Sequence, residues 1–77
     1  MSSVQRFLIE RITVDLVEMH MVLNELSFEA SVSVVLSSQV HQKLTDPETG
    51  LYLDSAASIY ELLARELQDG ALIQYEQ

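Results

Sequence analysis

Apolar residues recur at Ile9, Ile12, Leu16, Met19, Leu23 and Leu26 in alternating steps of three and four. Steps of that kind return to one side of an α-helix, and the pattern predicts a long helix over 3–26. No Gly or Pro interrupts it, and Ser2 or Ser3 is placed to cap its start. A second apolar series, Phe7, Val14, Met21 and Phe28, repeats every seven residues on a different face, and Val17 and Val22 widen it. A helix apolar over most of its perimeter has to be covered from more than one side. At ~1.5 Å per residue it is roughly 35 Å long, about the diameter of so small a domain. The remainder of the chain is too short to cover it, and the expectation is a homodimer. Its self-association seam is the series Ile9, Ile12, Leu16, Met19, Leu23 and Leu26. The β-branched residues Ile12, Thr13, Val14, Val17 and Val22 leave a strand through part of 12–23 as a competing reading.

Beyond the long helix the pattern changes. Phe28, Ala30, Val32, Val34 and Leu36 alternate with Glu29, Ser31, Ser33 and Val35, which predicts a half-buried strand over 29–36. The same stretch also carries Phe28, Val32, Leu36, Val40 and Leu44 four residues apart, the ridge of a helix. Alternation and valine content favour the strand. A helix from Ser37 or Ser38 to about Leu44 follows, with Ser37 as N-cap and Asp46-Pro47 as its stop. Residues 45–50 read as a turn in which Asp46 closes an Asx-turn and Gly50 takes positive φ. Residues 51–53 read as a short extended link. Asp54 or Ser55 then caps a helix to about Asp69, with Ala56, Ile59, Leu62, Leu63 and Leu67 inward and Gly70 as C′ residue. Residues 71–77 read as a short strand or a mobile end.

The chain is 77 residues long, which allows one domain, 1–77. So short a chain hides only about 60% of its unfolded surface, a second reason to expect association. It has no Cys, so disulfides, thiolate metal sites and cysteine nucleophiles are excluded. Its apolar runs are too short to cross a membrane, and Glu10 and Arg11 interrupt any signal-peptide pattern. The expected location is the cytoplasm.

Twelve acids against four bases leave a net charge of −8, and Arg6, Arg11, Lys43 and Arg65 are scattered. Direct nucleic-acid binding is disfavoured, because it calls for clustered cations. A protein partner with a basic surface fits better. Residues 46–77 hold seven acids and one base, which makes the C-terminal half the more electronegative. Within it Glu61, Glu66 and Asp69 are the candidate partner-binding residues.

Candidate chemistry is sparse. His20 and His41 are the two imidazoles. With Glu18 or Asp15 they would form a zinc site only if folding converged them, so a surface histidine beside an acid is the simpler reading. Residues 46–54 alternate oxygen ligands but lack the spacing of a calcium loop. No serine sits in a nucleophile elbow, and no glycine-rich phosphate loop exists. The sequence therefore predicts no catalytic residues, no metal, no cofactor and no enzymatic activity.

The run from Val32 to Leu44, VSVVLSSQVHQKL, resembles the opening of a ribbon-helix-helix domain. Gly50-Leu51-Tyr52 followed by Ser55 to Glu66 is similar to the second helix of addiction-module antitoxins of that class. The resemblance covers roughly 31–67. It implies an intertwined dimer whose paired strands read a DNA major groove and whose other segments bind a toxin. The groove-facing strand positions would be Ser31, Ser33 and Val35, with no Arg or Lys, and Tyr60 stands where that class carries Arg. The long N-terminal helix has no counterpart there.

The combined expectation is a mainly α fold with one short strand: a long N-terminal helix, then a ribbon-helix-helix-like strand-helix-helix unit, dimeric. An all-α three-helix bundle is the alternative. The expected function is that of a small acidic dimer that neutralises or regulates another protein, as an antitoxin or a phage-type inhibitor of a nucleic-acid-handling enzyme. The alternatives are a DNA-binding repressor of the ribbon-helix-helix class and a structural or chaperone subunit of a larger assembly.

Overall fold

A computed structural model describes residues 2–69. Four helices follow one another: α1 (Ser3–Asn24), α2 (Phe28–Ser37), α3 (Gln39–Leu44) and α4 (Ala56–Asp69), with 3-10 turns at Pro47–Thr49 and Leu51–Leu53 between α3 and α4. Among the described residues there is no strand. The strand-helix-helix unit is therefore not present, and the all-helical alternative is nearer, with four helices in place of three.

α1 starts at a reciprocal capping box. The Ser2 hydroxyl accepts the Gln5 N–H at 3.1 Å, and the Gln5 side chain accepts the Ser2 N–H at 2.8 Å. It ends two residues before the predicted Leu26 because Glu25 turns left-handed at φ 54. The Leu26 N–H folds back onto the Met21 carbonyl at 3.1 Å, which closes the last turn.

The correction at 29–36 has a local and a tertiary cause. Ser27 accepts the Ala30 N–H at 3.1 Å, a helix N-cap that the alternating pattern conceals. The four-residue ridge then outweighs the two-residue alternation, because helical winding puts Ser31 and Val35 against α1, both fully buried.

At Ser38 the backbone becomes extended and separates α2 from α3. Ser38, not Ser37, is the α3 cap: its hydroxyl accepts the His41 N–H at 3.0 Å and donates to the Val35 carbonyl at 2.7 Å. The reorientation turns Val40 and Leu44 into the core while Leu36 stays outside.

The turn at 45–50 forms as its residues dictate. Asp46 accepts the Glu48 N–H at 3.0 Å, and Gly50 takes φ 68. Residues 51–53 form a 3-10 turn in place of the predicted extended link. Ser55 accepts the Ser58 N–H at 3.1 Å and opens α4. The readings of Gly70 and of 71–77 lie outside the described residues.

α1 packs against α2, α4 and the second 3-10 turn, and α3 bridges α2 and α4. The result is a slab of 33 × 33 × 18 Å. Its core is Ile9, Ile12, Leu16 and Val17 of α1, Val35 of α2, Val40 and Leu44 of α3, and Ile59, Tyr60 and Leu63 of α4.

Candidate functional site

At about 100° per residue, Phe7, Val14 and Met21 lie within 40° of one another on α1, nearly opposite Leu16. Leu16 is fully buried, and the opposite side is left open: Phe7 is 62% exposed and Val14 52%. α2 flanks this side and adds Phe28, which is 59% exposed, and Leu36. Between the two helices runs an apolar groove of about 470 Å³ lined by Val14, Val17, Met21, Phe28, Val32 and Leu36, with Thr13 and Glu18 at its edge. It adjoins a second hollow of about 460 Å³ beside α3, where Arg6, Glu10, His41 and Thr45 meet Ile9, Thr13 and Val14. The seven-residue series read from the sequence is thus an open surface. The α2 residues Val32 and Leu36 complete it, and their four-residue spacing was the available signal.

The six residues of the expected self-association seam fall into two groups. Ile9, Ile12 and Leu16 face the core of their own chain, and Met19 is partly buried against it. Leu23, in the last turn of α1, and Leu26, just past its end, lie exposed.

The three candidate acids also separate. Glu61 and Asp69 are exposed on α4, whereas Glu66 is buried at 7% exposure. The Glu66 carboxylate accepts the Gln39 N–H at 2.8 Å and the Val40 N–H at 3.0 Å. These are among the backbone donors that a helix N-terminus leaves without partners, and the helix dipole favours an anion there. Glu66 therefore ties α4 to α3 and is not free to meet a partner.

His20 is buried, contrary to the surface reading, and joins α1 to α4. Its Nδ1 lies 2.9 Å from the Tyr60 hydroxyl and 2.9 Å from the Asn24 side-chain nitrogen. Asn24 also donates to the Tyr60 oxygen and to the His20 carbonyl, each at 3.2 Å. Nδ1 has a single bonding position and the Asn24 nitrogen two hydrogens, so these contacts share their donors and acceptors across one compact network. His41 sits apart, half-buried on α3, and desolvation holds its pKa below the ordinary 6.5. No group of His, Asp and Glu suited to a metal ion occurs among the described residues. Residues 46–54 serve as turn and cap. No helix among the described residues is long and apolar enough to cross a membrane.

Comparison of the chain with protein-family models, with curated proteins and with solved structures finds no match.

Proposed function

We propose that this chain acts by occupying another protein: a small acidic helical binder that neutralises or regulates a partner with a basic surface. The observation that supports this reading is an acidic exterior with little internal compensation. Glu10, Glu18, Glu25, Glu29, Asp46, Glu48, Asp54, Glu61 and Asp69 are all exposed. Among the described residues one ion pair forms, Arg11 with Asp15 at 3.7 Å. Carboxylates without counter-ions among the described residues attract and orient a surface of opposite sign. Glu61 and Asp69 on α4 are the contact residues of this reading, and Glu66 holds the helix that presents them.

The test is affinity capture from the native host lysate with mass spectrometry, the wild type beside the double reversal Glu61→Lys and Asp69→Lys. One stoichiometric basic protein is expected on the wild type. Its affinity should fall about tenfold in the double variant and weaken with added salt. Equal capture by both proteins, insensitive to salt, rejects the reading.

A further inference from the structure

We propose that the open α1–α2 face is occupied by a second copy of this chain, with the two α1 helices antiparallel and crossing at Val14. The arrangement is self-complementary. A two-fold axis at Val14 sets Val14 against Val14 and Phe7 of each copy against Met21 of the other. It also sets Arg11 against Glu18 of the other copy. Phe7 and Val14 are more than half exposed, Met21 is partly buried, and Arg11 and Glu18 are exposed. Arg11 and Glu18 share one flank of the stripe, and antiparallel pairing brings like flanks together. Arg11, which meets Asp15 of its own helix at 3.7 Å, is placed to reach Glu18 of the other copy as well, twice by symmetry.

α2 lies along the other flank, so the two α1–α2 grooves face one another. Phe28, Val32 and Leu36 then close over a shared apolar interior. α1 spans 22 residues, about 33 Å. α2, 10 residues and about 15 Å long, widens part of the strip, which comes to roughly 480 Å² per copy and about 1,000 Å² in total, the size of a weak, concentration-dependent association. This seam is not the one read from the sequence, whose first half is core.

Sedimentation of the purified chain tests the proposal without reference to any other protein. At about 200 µM the wild type should sediment at twice the 8.7 kDa chain mass. Val14→Glu should be monomeric with unchanged helical circular dichroism, and Leu23→Glu, off the strip, should remain dimeric. Arg11→Glu and Glu18→Arg should each weaken the dimer about tenfold, and the double swap should return it to within about threefold of wild type. An 8.7 kDa wild type, a dimeric Val14→Glu protein or a double swap that restores nothing overturns the proposal.

Discussion

Replacing Glu66 with alanine removes the acceptor for two backbone N–H groups at once. Gln39 and Val40 donate to its two oxygens at 2.8 and 3.0 Å, at a site where the side chain is 7% exposed. Water has little access, so the donors are left unpaired. A hydrogen bond to a charged group contributes about 1.5–3 kcal/mol, part of which is offset by the desolvation of the carboxylate. The expected loss for Glu66→Ala is about 3 kcal/mol. For a chain of 77 residues the total stability is about 4–12 kcal/mol, so the loss is a large fraction of it. Glu66→Gln keeps one acceptor but turns an amide N–H₂ toward the other donor, and should cost about 2 kcal/mol. Glu61→Ala, exposed on the same helix, should change stability by no more than about 0.5 kcal/mol. Urea denaturation followed at 222 nm measures all three. A Glu66→Ala protein within about 0.5 kcal/mol of wild type would refute the cross-helix cap.

Three further substitutions probe the frame. Glu25 holds a left-handed conformation that costs a residue with a Cβ roughly 1 kcal/mol, so Glu25→Gly should raise the urea midpoint by a comparable amount; a lower midpoint contradicts the reading of this helix end. The Ser31 hydroxyl is fully buried without a hydrogen-bond partner, so Ser31→Ala should stabilise the fold by about 1 kcal/mol in thermal unfolding, and destabilisation would show a partner for that oxygen. Because the folded pKa of His41 is depressed, the unfolded chain binds more protons just below pH 6.5. The stability contribution of a neutral His41 is therefore complete above that pH and is lost as pH falls through the folded value. His41→Asn should flatten this part of the pH profile in denaturant titrations, and an unchanged slope would exclude His41 as its source.

Local sequence carried much of the secondary structure. The caps at Ser2 and Ser55, the Asp46-Pro47 stop, the Asx-turn and the positive φ at Gly50 are short-range effects, each decided within three or four residues, and they were readable from the sequence, whereas the cap at Ser27 was not and the one read at Ser37 falls at Ser38. The 28–36 stretch was not, because its apolar residues satisfy a two-residue and a four-residue period together. Only the packing of Ser31 and Val35 against α1 separates them. The ribbon-helix-helix resemblance rested on that stretch being extended, and its strand is lost with the helical assignment.

The sequence by itself determined that α1 carries two apolar series and that the exterior is acidic, because periodicity and composition are properties of the chain alone. Tertiary structure decided which series is core. The rest of the fold covers Ile9, Ile12 and Leu16, while Phe7 and Val14 stay open, and nothing in the spacing of either series fixes that choice. Tertiary structure also decided the role of Glu66, whose partners lie 26 and 27 residues away. A carboxylate on a helix reads as solvated until another helix end is brought to it.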